Sequence, residues 1–249
     1  MPASQKAITR AVSPSIAACE LTYLDRQPID YALAVQQHAA YEDALVSLGL
    51  ELIHLPAAPE LPDSVFVEDT AVVLDEIAII GRSGVASRRG ETEAVAAALA
   101  PYRTLASIGA PGTLEGGDVL RIGRMLYVGL SSRTNDAGIA QLRAIVTPIG
   151  YTVVAVELRD CLHLKTACTY VGQNRMLVNP AWIDPAIFVG MNVIHAVDSN
   201  VVAIGDAVLV SSPLTAAALE SANLKVHLLG ISEFQKAEAG LTCLSLLLT

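Results

Sequence analysis

Hydrophobic positions along the chain change repeatedly between a spacing of two and a helical spacing. Residues 7–12 form a short apolar strand, residues 28–49 place apolar side chains near helical spacing, and residues 50–55 alternate like a strand. The same order then recurs along the chain with an additional leading strand. This pattern predicts repeated units of strand, strand, helix and strand.

Four later segments each predict a complete unit of this kind. Their predicted elements occupy residues 70–74, 77–81, 91–100 and 103–108; 119–122, 125–130, 135–148 and 151–157; 163–171, 175–179, a weak helix near 183, and 193–197; and 201–204, 207–211, 214–222 and 225–229. A period of roughly 40 to 50 residues is typical of propellers and arrays. The first unit lacks a leading strand, and we expect residues 241–248 to supply it. Since no low-complexity linker divides the chain, we expect one domain over residues 1–249.

Charge narrows the range of partners. The chain carries a formal net charge of −9 and shows no basic cluster, which argues against nucleic acid and anionic membrane surfaces as partners. An acidic chain is compatible with a cationic small substrate. The longest apolar stretches, near residues 145–156 and 186–197, fall short of the about 20 residues that a membrane span needs. We therefore expect no membrane partner.

The N-terminus and the cysteines indicate the compartment. Gln5, Lys6 and Arg10 interrupt any hydrophobic signal core. The four cysteines show neither CxxC spacing nor an evident pairing, which is typical of free thiols in a reducing environment. These features predict a cytoplasmic protein.

One stretch in the middle of the chain combines acids with glycines. In residues 112–118, Glu115 and Asp118 flank the pair Gly116 and Gly117, directly after Pro111. Carboxylates held where glycines let the backbone approach closely often serve a ligand or a metal. Glycine and aspartate are also common turn residues. The stretch alone leaves both readings open.

Other polar residues cluster in the turns of the predicted units. Asp63, Phe66, Glu68 and Asp69 lie between the first two units. Arg88 and Arg133 precede helices in equivalent positions of two units, where capping and carboxylate binding are both plausible roles.

A histidine and a cysteine add candidate chemistry. His163 opens the fourth unit in a position equivalent to those of the acidic turns, although a lone histidine is often structural. Cys243 follows a glycine turn near the C-terminus, and a single cysteine with a distant histidine and an acid is a candidate nucleophilic site. Most free cysteines are buried and inert.

Six segments together resemble a known family, the dimethylarginine dimethylaminohydrolases of the guanidine-modifying (amidinotransferase) superfamily. They match in the family's order and approximate spacing across nearly the whole chain, and they comprise residues 66–69 (FVED), 87–91 (SRRGE), 112–118 (GTLEGGD), 132–135 (SRTN), 163–166 (HLKT) and 241–245 (LTCLS). The resemblance implies an α/β fold of five pseudo-symmetric blades, the pentein propeller, in agreement with the repeat.

The resemblance also implies roles for particular residues. Cys243 would be the nucleophile, His163 the general acid and base, and Glu115 the acidic partner of the histidine. The implied substrate-binding residues are Asp63, Glu68 and Asp69 for the guanidinium group, Arg88 and Arg133 for a carboxylate, Phe66, and Leu21 in a covering loop. Gly116 and Gly117 would leave room for backbone beneath a flat substrate group, while Asp118 would hold the turn.

The implied reaction is hydrolysis of an N-methylated arginine to citrulline and an alkylamine through a covalent thiouronium intermediate. The partner would be a small-molecule guanidino amino acid, with no metal and no organic cofactor. A deiminase that releases ammonia from arginine or a related compound is the nearest alternative, and a non-enzymatic pentein is a third. The sequence does not give the oligomeric state, and a homodimer is one assembly to be tested.

Overall fold

The computed structural model describes residues 5–248 and contains five three-stranded sheets. The strands are β1 (Lys6–Arg10), β2 (Glu51–Leu55), β3 (Ala71–Val73), β4 (Ile77–Ile80), β5 (Thr104–Ser107), β6 (Val119–Ile122), β7 (Met125–Leu130), β8 (Thr152–Glu157), β9 (Cys168–Tyr170), β10 (Arg175–Val178), β11 (Asn192–His195), β12 (Val202–Ile204), β13 (Ala207–Val210), β14 (Lys225–Leu228) and β15 (Leu246–Leu248). The helices are α1 (Tyr31–Ser47), α2 (Thr92–Leu99), α3 (Asp136–Val146), α4 (Leu164–Ala167), α5 (Pro213–Ser221) and α6 (Ser232–Gln235).

Every sheet repeats one topology. Its middle strand pairs antiparallel with one neighbour and parallel with the other, as in β6-β7-β8, where Val119 opposes Val128 and Met125 lies beside Thr152. A parallel pair needs a long crossover, and α1, α2, α3 and α5 supply it in four of the five units. The predicted α/β pentein fold of five units is confirmed.

The first unit is closed by the C-terminus. Strand β15 pairs antiparallel with β1, with Ile8 opposite Leu246, and β1 pairs parallel with β2. The expectation that the last strand completes the first unit is therefore correct. The strand is shorter than predicted, because residues Thr242–Leu244 form a turn of 3-10 helix before β15.

Capping residues explain where the helices begin. The side chain of Asp30 accepts the N–H of Leu33 at the start of α1, and Asn135 accepts the N–H of Gly138 at the start of α3. Ser212 caps α5 in the same way, with Pro213 in the first position. These side chains satisfy N–H groups that have no partner within the helix.

The fourth unit departs from the sequence pattern. The predicted strand at 163–171 is wrong in its first half, where α4 forms one helical turn before β9. The N–H of Leu164 donates to Asp118 of the third unit, so a contact distant in sequence turns the chain. The weak helix expected near residue 183 is only a 3-10 turn at Pro185–Ile187.

Apolar side chains fill the spaces between neighbouring units. One cluster, for example, joins Val72 and Ile79 of the second unit to Val128 and Leu142 of the third. Within residues 5–248, no helix has both the length and the apolar character to cross a bilayer. Because each unit packs on the next, the turns of several units lie together and bring their polar residues into one site.

Candidate active site

A buried histidine–carboxylate pair forms the centre of the site. Nε2 of His163 lies 2.8 Å from Oε2 of Glu115, and the Glu115 side chain is 0% exposed. Glu115 directly precedes the 3-10 turn Gly116–Asp118, and His163 directly precedes α4. The hydroxyl of Ser83 donates to Glu115, and Thr134 accepts its backbone N–H. Three units therefore fix this pair.

Glycine is required beside the pair for steric reasons. A Cβ atom on Gly116 would lie 2.0 Å from the carbonyl oxygen of Glu68. A Cβ atom on Gly117 would lie 2.7 Å from Oδ1 of Asp69 and 2.8 Å from Nδ1 of His163. The glycines thus make room for protein groups of the site, and Gly116 makes room for backbone, as expected from the sequence. A flat substrate group above them stays a prediction.

The electrostatic setting favours the charged forms of both partners. Burial alone would lower the pKa of His163, but the charges of Asp69 and Asp118 and the bond to Glu115 raise this pKa to about 9. Burial would raise the pKa of Glu115, but the hydrogen bond and charge of His163, together with Arg88 and Arg133, lower it to about 2. His163 therefore carries a proton at neutral pH.

Arg88 ties the pair to further acids. Its Nη1 donates to Asp69 at 2.9 Å, and its Nε and Nη2 each donate to Glu91 at 3.0 Å. Nη1 also lies 3.9 Å from Oε2 of Glu115. We refer to Asp69, Arg88, Glu91, Glu115 and His163 as the buried charge network. Arg88 is thus committed to carboxylates of the protein, and its expected role as a substrate-carboxylate anchor stays a prediction.

Two atoms of the site are buried without a hydrogen-bond partner among the described residues. They are Oδ1 of Asp69 and Nη1 of Arg133. Arg133 is 3% exposed; its Nη2 donates to the hydroxyl of Thr22, and its Nη1 lies 3.6 Å from Glu115. A buried polar atom without a partner is costly, so both atoms are suited to a ligand.

The remaining predicted binding residues line different parts of the site. Both oxygens of Asp63 accept the N–H of Glu20, and burial raises the pKa of Asp63. Phe66 is buried in an edge contact with Phe234. Leu21 is half-buried and packs against the apolar cluster that includes Phe66. Their contacts with substrate stay predictions.

Glu68 bonds the residue that precedes the expected nucleophile in the chain. Its carboxylate accepts the hydroxyl of Thr242 at 2.6 Å and pairs with Lys165 at 2.6 Å. Since both oxygens have protein partners, the structure gives Glu68 a supporting position, and its expected contact with a guanidinium group is not tested.

Cys243 is the one cysteine within residues 5–248 that is not fully buried. It lies in the 3-10 turn Thr242–Leu244, and its Sγ accepts the N–H of Gly240 at 3.4 Å. Burial and the charges of Glu68 and Asp69 raise the pKa of the Cys243 thiol well above its ordinary value. A positive charge from a ligand would be needed to offset these acids.

Asp118 has a structural position. Its oxygens accept the N–H of Leu164 and the hydroxyl of Ser131, and burial raises its pKa to about 6. This agrees with the expectation that Asp118 holds the turn. The one grouping of potential metal ligands within residues 5–248 is Asp69, Glu115 and His163, whose ligand atoms lie within 4.8 Å of one another. A metal there would have to displace the bond between His163 and Glu115.

Several residues of the site were not identified from the sequence. The i,i+3 spacing of Arg88 and Glu91 in the segment 87–91 was a usable signal for an ion pair. The resemblance placed Asn200 near the site without a role, and the structure shows that its side chain binds both Thr242 and the carbonyl of Lys165. Ser83 becomes a site residue only through the fold.

The chain was compared with known proteins. A family profile described as N,N dimethylarginine dimethylhydrolase, eukaryotic, matches residues 23–202. The N(G),N(G)-dimethylarginine dimethylaminohydrolase of Streptomyces coelicolor is 40% identical over 97% of this chain and 96% of its own length. The enzyme of the same name from Pseudomonas aeruginosa is 34% identical over 87% of this chain and 89% of its own length.

Solved structures agree with these relatives. A cysteine-to-serine variant of the Pseudomonas aeruginosa protein, complexed with citrulline, superposes with a TM-score of 0.94 at 32% identity and covers 98% of this chain and 99% of its own. The N-terminal domain of a cyanobacterial arginine dihydrolase shares the fold at 20% identity, with a TM-score of 0.86 and coverage of 99% of this chain and 98% of its own.

The five-unit architecture and the arrangement of polar turns at one site place the protein among the penteins. Within this class, the sequence identity to the two bacterial relatives and the share of each chain that the matches cover define the family. The chain belongs to the dimethylarginine dimethylaminohydrolase family.

Proposed function

We propose that the protein hydrolyses N-methylated arginines, with dimethylarginine giving citrulline and dimethylamine. The observation that carries this proposal is the pair of unpartnered buried atoms, Oδ1 of Asp69 and Nη1 of Arg133. Together they call for a ligand with a cationic group and an anionic group. A guanidino amino acid has both, and the relatives of the same family carry the corresponding name.

In the proposed reaction, the substrate guanidinium binds beside Asp69 and lies over Cys243. Burial and the charges of Glu68 and Asp69 raise the pKa of the Cys243 thiol. The positive charge of the substrate offsets these two acids and so favours the thiolate. The sulfur attacks the guanidinium carbon and forms a C–S bond. Fixed orientation of the flat guanidinium lowers the barrier to this attack.

His163 supplies the proton that the leaving amine needs. Because Nε2 is bonded to Glu115, Nδ1 is the nitrogen left for proton exchange. As the C–N bond to the dimethylamino nitrogen breaks, that nitrogen takes the proton and leaves as dimethylamine. His163 then accepts a proton from water, whose oxygen attacks the thiouronium carbon. Cleavage of the C–S bond, with release of the second proton of the water to solvent, yields citrulline and restores the thiolate.

Glu115 and the remaining residues position these groups. Glu115 holds the histidine ring and stabilises its charged form, and Arg88 with Glu91 orients Asp69. The proposal takes the whole chain as one catalytic domain, because these residues come from several units and Cys243 comes from the C-terminal segment. The proposal involves no metal and no organic cofactor.

Two measurements test this function. The purified protein is incubated separately with asymmetric dimethylarginine, monomethylarginine, arginine and agmatine, and citrulline and released amine are quantified. We expect turnover of the methylated amino acids. Absence of turnover with all four compounds would sink the hydrolase proposal, whereas a strong preference for arginine, with release of ammonia, would favour the deiminase alternative.

Replacement of the nucleophile is the second measurement. We expect Cys243→Ser to lower kcat by more than about 10⁴-fold, because a neutral serine replaces a thiolate. Its circular dichroism and melting temperature should stay close to those of the unmodified protein. The matched control is Cys168→Ser, which alters a buried thiol of β9 and should keep turnover. A fully active Cys243→Ser variant would show that another group attacks the substrate.

A further inference from the structure

The segment 20–26, here called the site loop, crosses the site without forming a strand or helix. Its backbone N–H groups bond mainly to residues outside the loop. The N–H groups of Thr22, Tyr23 and Leu24 all donate to the carboxylate of Glu238, at 2.9, 2.5 and 2.5 Å. Three successive N–H groups directed at one anion form a strong local anchor. The rest of the loop is largely exposed, so this carboxylate supplies much of its order.

The backbone of Glu238 is unusual for its residue type. Its φ angle is 59°, in the left-handed region where glycine and asparagine are the usual residues. Glutamate gains nothing from this conformation, and glycine would adopt it more easily. The position therefore requires a side-chain role to account for a glutamate, and the three bonds to the site loop provide one.

The site loop also contacts residues of the proposed substrate site. The N–H of Glu20 donates to Asp63, and the hydroxyl of Thr22 accepts from Arg133. The contact with Arg133 uses Nη2, while Nη1, which lies 3.6 Å from Glu115, has no hydrogen-bond partner among the described residues. A shift of the loop would therefore change the surroundings of two substrate-binding groups at once.

Glu238 lies on the chain segment that leads to the nucleophile. It precedes Cys243 by five positions, and Gly240 between them donates its N–H to the cysteine sulfur. The one carboxylate thus joins the site loop to the segment that presents Cys243. The sequence separation between bonded residues is more than 200 positions, so the bond is purely tertiary.

We propose that Glu238 is a positioning residue that fastens the site loop to the nucleophile-bearing segment and so completes the binding site for the amino-acid substrate. The consequence for catalysis rests on the proposed function. Glu238 acts through the loop, so its loss should weaken substrate binding and leave the chemical steps largely intact.

Amide hydrogen exchange of the substrate-free protein tests the anchor directly. The variants are Glu238→Gln, which keeps one acceptor oxygen, and Glu238→Gly, which removes the carboxylate and suits the backbone. In Glu238→Gly, we expect the amides of residues 22–24 to exchange at least about tenfold faster, as for the loss of one bond to a charged acceptor. In Glu238→Gln, the exchange rates of these amides should lie between those of the parent protein and those of Glu238→Gly.

The control separates the anchor from the backbone conformation. Asn223 also has a left-handed backbone, with φ of 59°, in the turn after α5. Asn223→Gly makes a similar backbone change in a turn between α5 and β14, and it should leave exchange of residues 22–24 and turnover unchanged. A general loss of stability would instead raise exchange throughout the protein and lower the melting temperature.

Kinetics test the consequence for binding. For dimethylarginine we expect KM to rise about tenfold in Glu238→Gly, while kcat changes less than about threefold. Unchanged exchange at residues 22–24 would overturn the proposal. Faster exchange with an unchanged KM would also overturn it, because the loop would then not serve binding. If no variant and no parent protein turns over a methylated arginine, the proposed function fails, and the exchange result alone still decides the anchor.

Discussion

The two sides of the site are held together in different ways. On one side, every member of the buried charge network is nearly inaccessible. Hydrogen bonds of 2.8 to 3.0 Å join His163 to Glu115 and Arg88 to Asp69 and Glu91, and Arg88 lies 3.9 Å from Glu115. On the other side lie residues 239–243, here called the nucleophile segment. Thr242 is held there by uncharged Asn200 and by Glu68, whereas the sulfur of Cys243 accepts a longer bond of 3.4 Å from the N–H of Gly240. Cys243 is partly exposed.

This difference assigns distinct tasks to the two sides. Buried charges are costly to desolvate, so each member of the network depends on its partners and cannot be removed without leaving an unpaired charge. Such a network fixes the orientation of the His163 ring and keeps the ring protonated. The nucleophile segment instead keeps a sulfur atom accessible on a short turn. Except for replacement of Cys243 itself, substitutions should therefore have large effects on the network side and smaller, more local effects on the nucleophile side.

Apart from the loss of the nucleophile itself, the largest effect is expected at Glu115. Glu115→Gln keeps the shape of the side chain but removes the charge that stabilises protonated His163. We expect kcat to fall about 10⁴-fold, comparable to the neutralisation of the acid in a serine–histidine–aspartate triad. Steady-state turnover of dimethylarginine measures this. The control Glu93→Gln changes an exposed acid on α2 and should match the parent protein. A Glu115→Gln variant within tenfold of the parent would contradict the assigned role.

The pH dependence of stability tests the same pair without catalysis. The folded pKa of His163, about 9, lies above the unfolded value of about 6.5. Its stabilising contribution is therefore complete below pH 6.5 and is lost as the pH rises through 9. The gap in unfolding free energy between the parent protein and His163→Asn should narrow by about 3 kcal/mol between pH 6 and pH 10. In this range Glu115, with a pKa of about 2, stays ionised.

Urea unfolding at several pH values gives this gap. Asp69, Asp118 and Glu115 face His163 and remain in both proteins. Because the charge of His163 lowers the pKa of Asp118 and Glu115, the gap reports the histidine together with these carboxylates. His195 is exposed on β11, and His195→Asn is the matched control for the replacement of a histidine by asparagine. A constant gap for His163→Asn would mean that the histidine is not held in its charged form.

The architecture could be predicted from the sequence because the repeated units follow from the local spacing of hydrophobic residues. Strands β6 and β7 lie where their alternation placed them, at 119–122 and 125–130. The start of the fourth unit was misassigned because bonds from Asp118 and Glu115, more than 40 positions away, override local strand preference at His163 and Leu164.

The site was only partly accessible from the sequence. The resemblance provided the roles of Cys243, His163 and Glu115, and the structure brings the last two into contact. The sequence did not reveal that Arg88 is occupied by Asp69 and Glu91, since ion pairing depends on which turns meet in space. It also could not link Glu238 to the site loop at the opposite end of the chain.

A smaller effect is expected from crowding the network. Gly117→Ala would place a Cβ atom within 2.7 Å of Asp69 and 2.8 Å of His163. These side chains must shift, and a displacement of about 1 Å can reduce the rate about 10²-fold. We therefore expect a kcat loss near that size. The control Gly109→Ala meets its nearest neighbouring atom at 3.8 Å and should be nearly neutral. Full activity of Gly117→Ala would show that the histidine position tolerates movement.

The smallest effect is expected on the nucleophile side. Asn200 accepts the N–H of Thr242 at 2.9 Å and donates to its hydroxyl at 2.9 Å, and so orients the turn that carries Cys243. Asn179 has equivalent burial, and its amide binds Val197 and Ala181 in the fourth unit. Both alanine variants should lower the free energy of unfolding by about 1–3 kcal/mol.

Only Asn200→Ala should also lower kcat, by about tenfold, because only this amide positions the nucleophile segment. Urea unfolding and initial rates measured on the same preparations separate the two effects. Equal kcat values for the two variants would mean that the turn keeps its geometry without Asn200. A loss approaching that of Glu115→Gln would remove the contrast between the two sides, since the nucleophile segment would then be as sensitive as the buried charge network.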